Sequence, residues 1–185
     1  MKKSNKKIGE FNIATTTKVH VFKFPLAKKL NPTLHKMIMQ KAINKDKGAL
    51  MTSWGCHYIS QFKSIADYAV KMLQSLERDP YTPVLLTKEE KKDAPILLYN
   101  LWGQYYKKDQ FQESHNHIPH HWAFVYYVNT PPGSSPIIFS QSNEKFFPKE
   151  GQLILFPGFL WHHVPPNQCK ERTVVAGNLL YMKLK

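Results

Sequence analysis

The stretch Glu113-Ser-His-Asn-His-Ile-Pro-His-His121 contains four of the nine histidines of this chain, and the region around it from Asn100 to Asn178 contains two more. Side chains two positions apart point to the same face of an extended strand. His115 and His117 are therefore predicted to point into one cavity, with Asn116 turned away. This spacing is typical of a pair of metal ligands.

A third imidazole is available from His162, which lies 45 residues after His117. It follows Gln152–Pro157, an apolar run bounded by turn formers that predicts a buried strand. Ten residues further on, Arg172 opens another predicted strand. Lys and Arg together number 26, and only Arg78 and Arg172 are Arg. A chain so rich in Lys is expected to keep Arg where a rigid two-pronged fork must bind a carboxylate.

The order of these residues resembles the double-stranded β-helix oxygenases that use Fe(II) and 2-oxoglutarate. More closely, it resembles the bacterial and viral group of 2OG-Fe(II) oxygenases related to prolyl 4-hydroxylases. The resemblance covers roughly the C-terminal half and rests on six passages in the same order: Asn100–Trp102, Glu113–His117, Val125–Val128, Pro148–Gly151, Leu155–Val164 and Glu171–Asn178. The chain departs from the pattern at His117, where most of the superfamily has Asp or Glu.

The resemblance implies that Fe(II) is held by His115, His117 and His162. Three protein ligands leave three positions on the metal, two for the 1-carboxylate and ketone of 2-oxoglutarate and one for O2. Two alternatives remain open at this stage. His117 lies outside the ligand sphere and water completes it, or Glu113, two residues before His115, donates a carboxylate.

For the co-substrate, the resemblance implies that Arg172 binds the distal carboxylate of 2-oxoglutarate. Tyr106 fits the first tyrosine of the motif that precedes the metal ligand in prolyl 4-hydroxylases, and is a candidate hydroxyl donor to that carboxylate. Asn178 shares a strand face with Arg172, and Asn100 shares one with Tyr106. Both asparagines are therefore candidates for the same pocket.

Three more residues around this region are candidates for supporting positions. Trp102 has the strand parity of Tyr106, so it is a candidate for the pocket wall, with core packing as the alternative. His120 and His121 are adjacent and face opposite ways in an extended segment, so at most one lines the pocket. His121 is kept as a possible supporting residue.

Length and composition favour one soluble domain. A chain of 185 residues can bury about two-thirds of its unfolded surface. Its hydrophobic content of 42% argues against disorder, and no run approaches the ~18 apolar residues of a membrane span. The basic start, Met1–Ile8, has no apolar stretch behind it, and Cys56 and Cys169 are too few for a disulfide framework. We expect a cytoplasmic protein, in the host cytoplasm if the chain is viral.

The net charge of +13 raises the alternative of nucleic-acid binding, because clustered Lys would release counterions from phosphates. Lys is spread along the chain, however, and proteins that bind bases and phosphates use Arg for its planar fork. The charge is therefore interpreted mainly as a solvated surface. A Lys-rich nucleic-acid-binding protein stays as one alternative, and a non-catalytic or differently metallated cupin-like module as another.

The predicted fold is mainly β with flanking helices, a double-stranded β-helix (jelly-roll, cupin-like) with N-terminal buttressing helices. The chain is predicted to be a single domain over 1–185, with N-terminal strands and support helices in 1–95 and the catalytic core in 96–185. Local patterns predict a lead-in without regular structure over 1–17, a strand over 18–24, a helix over 32–43 capped by Asn31, a helix over 60–76, a short strand or turn over 81–86 and a charged loop over 88–93.

The expected activity is that of an Fe(II)- and 2-oxoglutarate-dependent dioxygenase. By resemblance, it hydroxylates an unactivated C–H bond of its substrate and releases succinate and CO2. Peptidyl proline, a nucleobase and a small metabolite remain open as substrates, and the oligomeric state is open as well.

Overall fold

The computed structural model describes residues 7–13, 17–46, 48–76 and 95–182. The predicted turn at 81–86 and loop at 88–93 lie outside the described residues. The strands and helices of the described part are β1 Lys7–Ile13, β2 Thr17–Lys23, α1 Ala27–Lys41, β3 Asn44–Asp46, β4 Ala49–Met51, α2 Ser60–Leu76, β5 Ile96–Lys107, β6 Gln112–His115, β7 Trp122–Asn129, β8 Ile137–Phe139, β9 Glu144–Phe146, β10 Gln152–Pro157, β11 His162–Val164 and β12 Glu171–Tyr181.

Two antiparallel sheets face each other. The larger has the order β1-β2-β10-β7-β12-β5-β4-β3, and the smaller has the order β6-β11-β8-β9. From β5 onward the chain contributes four strands to each sheet and crosses between them repeatedly, which is the winding of a jelly-roll. The predicted double-stranded β-helix is confirmed.

The strands before β5 widen the larger sheet at both edges. The hairpin of β1 and β2 pairs with β10, while β4 pairs with β5. The expectation of an irregular lead-in over 1–17 is wrong for Lys7–Ile13, which forms the edge strand β1. Its polar sequence is typical of an edge strand, and pairing with β2 rather than local pattern orders it.

Helices α1 and α2 cover the outer face of the larger sheet. The helix predicted over 60–76 is confirmed, and its seven apolar positions are all buried against the sheet. The other helix begins at Ala27, so the prediction of Asn31 as its cap is wrong. Asn31 lies inside the helix, where its Nδ2 donates to the Val128 carbonyl at 2.9 Å and its Oδ1 accepts from the Tyr126 hydroxyl at 2.5 Å. These contacts are distant in sequence and override the local cap signal.

The larger sheet is buried on both faces. Its outer face packs on the helices through a cluster that includes Phe62 and Leu153. Its inner face packs on the smaller sheet through a cluster that includes Tyr127, Phe139 and Phe156. A pocket opens at one end of this inner cluster, between the two sheets. Among the described residues, no helix is long and apolar enough to cross a membrane.

Candidate metal centre

Three imidazoles meet at the mouth of the inter-sheet pocket. His115 ends β6 and His162 begins β11, and the two residues are direct partners across the smaller sheet. His117 completes the group, and one possible ligand atom from each ring lies within 4.8 Å of the others. The ring centroids of His115 and His162 are 4.4 Å apart, and that of His117 is 5.2 and 5.1 Å from them. The predicted trio is brought together by the fold.

His117 reaches this group by a route that the sequence pattern does not predict. Strand β6 ends at His115, so His117 lies in the following loop rather than two positions along the same strand. Its N–H donates to the Gly158 carbonyl at 2.7 Å, and its carbonyl accepts from the His120 N–H at 2.8 Å. Backbone contacts to the β10–β11 turn therefore place this imidazole.

The hydrogen bonds of two of the rings suit metal binding. His115 Nδ1 lies 2.8 Å from the Glu113 carbonyl, and His162 Nδ1 lies 2.9 Å from the Leu160 carbonyl. A carbonyl oxygen only accepts, so each Nδ1 carries the hydrogen and each Nε2 keeps its lone pair. Such outer hydrogen bonds fix the tautomer and orientation of metal-binding histidines. The donor set therefore fits a divalent transition metal.

Burial keeps His162 neutral. Desolvation, together with a smaller effect of the neighbouring His115, lowers its pKa to about 3. The ring therefore carries no proton on its ligand nitrogen at neutral pH. A neutral imidazole is the form that binds a metal ion.

The floor of the pocket is formed by Arg172, which is 1% exposed. Its guanidinium lies 4.9 Å from the Tyr106 ring centroid and 5.5 Å from that of Tyr127. Its Nε and Nη1 are buried and have no hydrogen-bond partner among the described residues. A buried cation whose N–H groups lack hydrogen-bond acceptors is costly, so this group is arranged for an anion that enters the pocket.

Cross-strand register explains why the predicted wall residues share this pocket. On β12 and β5, Arg172 faces Tyr106 and Ala176 faces Trp102. All four side chains line the pocket. The Tyr106 hydroxyl donates to Gln104 Oε1 at 2.9 Å, so its hydrogen is already used inside the protein.

Three polar residues of the pocket are absent from the sequence prediction: Gln104, Gln112 and Tyr127. Gln104 Nε2 donates to Gln112 Oε1 at 3.0 Å, continuing the chain from Tyr106. Gln104 lies two residues from both Trp102 and Tyr106 on β5 and so shares their strand face. Strand parity was therefore sufficient to predict Gln104 as a pocket residue. The Tyr127 hydroxyl is buried and has no hydrogen-bond partner among the described residues, and burial raises the pKa of this phenol, so it keeps its proton.

Asn100 and Asn178 lie in a second, outer cleft rather than beside Arg172. Asn178 Nδ2 donates to Asn100 Oδ1 at 2.8 Å, and both side chains line the cleft together with Trp54. Trp102 lines both cavities, and its buried indole Nε1 has no hydrogen-bond partner within the described part of the chain. All three histidines line the inner pocket that ends at Arg172, and His115 and His117 also line the outer cleft that opens to solvent.

The alternative of Glu113 as a ligand is excluded by the geometry of β6. The pairing of β6 with β11 is irregular between the His115 and Gln112 positions, so both of these side chains face the pocket while Glu113 is exposed. Such a bulge breaks the alternation from which the alternative was inferred.

His121, the candidate supporting residue, lies away from both cavities. Its Nδ1 accepts the Tyr181 N–H at 2.9 Å, and the ring lines neither cavity. The neighbouring His120 lines the outer cleft instead. The loop that carries His117 turns before these residues, so the parity of an extended segment does not apply.

Gly158 is expected to be essential for the loop that carries His117. A Cβ at this position would overlap the His120 carbonyl oxygen. Gly158→Ala should lower the free energy of unfolding by about 1–3 kcal/mol, as overpacking does. Metal affinity should fall about tenfold, because the His117 N–H bond to Gly158 is displaced. Urea unfolding and Co(II) titration measure the two effects.

Gly55→Ala is the matched control, because a Cβ there meets nothing closer than a His57 carbon at 4.0 Å. It should change neither quantity appreciably. Wild-type stability and Co(II) affinity in Gly158→Ala would show that the turn does not position His117.

The fold of this chain is similar to that of known proteins, although its sequence is not. No model of a protein family and no curated protein matches the sequence. Among solved structures, the viral collagen prolyl hydroxylase vCPH of Paramecium Bursaria Chlorella virus-1, in its 2OG complex, is 15% identical, with a TM-score of 0.67 over 87% of this chain and 94% of that one.

Two bacterial structures show the same similarity. A Pseudomonas putida prolyl-4-hydroxylase is 14% identical, with a TM-score of 0.62 over 91% of this chain and 94% of that one. HygX of Streptomyces hygroscopicus, with nickel and 2-oxoglutarate bound, is 13% identical, with a TM-score of 0.62 over 89% and 83%. Two sheets wound as a jelly-roll and a histidine group at the mouth of the pocket accompany this similarity. The chain has the double-stranded β-helix fold of the 2OG-Fe(II) oxygenases.

Proposed function

We propose that this protein is an Fe(II)- and 2-oxoglutarate-dependent dioxygenase that hydroxylates an unactivated C–H bond. One observation carries the proposal. Three imidazoles converge within 4.8 Å at the mouth of a pocket whose floor is a buried guanidinium, and two nitrogens of that guanidinium have no described hydrogen-bond partner. A metal site next to a buried anion site is what a chelating dicarboxylate requires.

In this proposal His115, His117 and His162 are the protein ligands of the metal. Fe(II), when bound there with 2-oxoglutarate and O2, supplies the oxidant that converts C–H to C–OH while 2-oxoglutarate becomes succinate and CO2. The residues of the chain hold the three ligand imidazoles in position. The hydrogen bonds of His115 and His162 hold the two rings in register across the smaller sheet, and the Gly158 carbonyl holds the loop of the third.

Arg172 binds the distal carboxylate of 2-oxoglutarate. Its Nε and Nη1 have no hydrogen-bond partner among the described residues, so the guanidinium has N–H groups available to a carboxylate that enters the pocket. The Tyr127 hydroxyl, also unpartnered, is a further donor to the same anion. Tyr106, whose hydroxyl is engaged with Gln104, contributes the ring that packs against the guanidinium.

The outer cleft binds the group to be hydroxylated. Asn100, Asn178, Trp54 and His120 belong to this cleft, and its described lining contains no Lys, Arg, Asp or Glu. Amide and aromatic side chains without a positive charge fit a neutral group that forms hydrogen bonds. They fit a negatively charged phosphodiester less well. A protein of similar fold binds a peptide, which has such groups. A Trichoplax adhaerens prolyl hydroxylase is known in complex with a peptide fragment of hypoxia inducible factor.

We assign the catalytic core to residues 96–185 and the supporting strands and helices to residues 1–95. All proposed ligands and all inner-pocket residues fall in the core, and α1 and α2 pack behind its larger sheet. We also propose a cytoplasmic location, because Cys56 and Cys169 are buried free thiols, as expected in a reducing compartment.

Anaerobic addition of Fe(II) and 2-oxoglutarate tests this function. A weak visible metal-to-ligand charge-transfer band should appear only when both are present, because it requires the 2-oxo acid to chelate the metal. Admission of O2 should then release succinate. Metal uptake without a 2-oxoglutarate-dependent band would instead identify a metal-binding module of the same fold.

A further inference from the structure

The charges of the inner pocket are unusual for a site that holds a divalent cation. Its proposed metal ligands are three neutral imidazoles, and its described lining contains no Asp or Glu. The only described ionic side chain of that lining is Arg172, which is positive. Within the described part of the chain, no carboxylate lies within ion-pair distance of its guanidinium.

A divalent metal therefore enters a pocket that is already positive. Imidazole ligands leave the full charge of the ion in place, and Arg172 adds one more positive charge in a site shielded from water. Like charges repel strongly where the effective dielectric constant is low. A bound dianion offsets two of these three charges, whereas a carboxylate ligand at position 117 would offset one of them permanently.

We propose that the metal and a dicarboxylate bind this pocket cooperatively, and that neutral His117 is the residue that makes the coupling strong. The inference rests on the proposed metal and 2-oxoglutarate sites and adds what the histidine at position 117 does there. In the absence of the dicarboxylate, the protein therefore binds the metal weakly. Coupling of this kind is reciprocal, so the metal strengthens dianion binding by the same factor.

Substitution at position 117 separates charge from ligand geometry. Asp and Asn have nearly the same shape, and only Asp carries a charge. His117 is half-buried in a loop rather than in the core, so both variants are expected to fold. The informative quantity is the ratio of metal dissociation constants without and with the dianion, and this ratio does not depend on how much either substitution weakens metal binding itself.

The experiment is calorimetric titration of the metal-free protein with Co(II), in the absence and presence of saturating 2-oxoglutarate. In the wild-type protein, 2-oxoglutarate should tighten Co(II) binding on the order of 100-fold, near the upper end for coupled sites. In His117→Asp the factor should fall to about tenfold, because the carboxylate already offsets part of the charge. In His117→Asn it should stay at the wild-type value.

Two controls belong with this series. His57→Asp makes the same substitution at a histidine that lines neither described cavity, and it should keep the wild-type factor. The monoanion 2-oxobutyrate has the same chelating head but no second carboxylate, so it should couple more weakly than 2-oxoglutarate in the wild-type protein.

The outcomes separate this inference from the proposed function. Equal factors in wild type and His117→Asp overturn the coupling role of His117 while leaving the metal site in place. A reduced factor in His117→Asn equal to that in His117→Asp also overturns it, because charge would then not be the cause. Absence of Co(II) binding to the wild-type protein under both conditions overturns the metal site itself.

Discussion

Replacing His162 with alanine should abolish stoichiometric Co(II) uptake, and replacing His115 with alanine should do the same. These rings lie opposite each other across the smaller sheet, and each has its Nδ1 committed to a backbone carbonyl. Loss of either leaves two imidazoles, and a neutral two-ligand site beside Arg172 has too few donors to hold the ion. Equilibrium dialysis with metal analysis measures the stoichiometry.

His163→Ala is the matched control for this experiment. His163 is the neighbour of His162 on β11, but its ring lines neither described cavity and its Nδ1 lies 3.4 Å from the Ser140 hydroxyl. It should retain one bound Co(II) per chain. Full uptake by both His115→Ala and His162→Ala would contradict the assignment of the metal centre.

Arg172→Ala should raise the Kd of 2-oxoglutarate by about two orders of magnitude. Removing one partner of a buried, hydrogen-bonded charge pair costs on the order of 3 kcal/mol, which corresponds to that change. The effect should be selective. Co(II) affinity measured without 2-oxoglutarate should not weaken, since the guanidinium repels the metal rather than binding it. Calorimetric titration of the metal-loaded protein with 2-oxoglutarate gives the first constant, and titration of the metal-free protein with Co(II) gives the second.

Arg172→Lys is the informative comparison, because it keeps the charge and loses the fork. It should recover only part of the affinity, since an ammonium group cannot reproduce two parallel hydrogen bonds. Wild-type 2-oxoglutarate affinity in Arg172→Ala would contradict the co-substrate assignment and favour a cupin-like binding module.

Several features of the protein were predictable because they follow from short-range geometry. Helix α2 agrees with its apolar period from Ser60 to Leu76. The place of Trp102 and Tyr106 on one wall of the pocket agrees with their shared strand parity. Such periods are properties of a helix or strand by itself, so the sequence is sufficient to show them.

Other features depended on contacts between segments far apart in the chain. Asn31 has the pattern of a helix cap, yet hydrogen bonds to β7 place it inside α1. The apolar residues of Lys7–Ile13 do not alternate regularly, yet pairing with β2 makes this segment a strand. Local propensity is worth less than a kcal/mol per residue, and tertiary contacts of this kind exceed it.

The sequence by itself indicated the residues at the centre of the site: three histidines in a fixed order and an arginine kept in a lysine-rich chain. Only the tertiary structure decided how they meet. A bulge in β6 turned Glu113 outward and Gln112 inward, and the Gly158 turn brought His117 to the metal centre from a loop. Bulges and loop paths are set by pairing with distant strands, and no local period encodes that pairing.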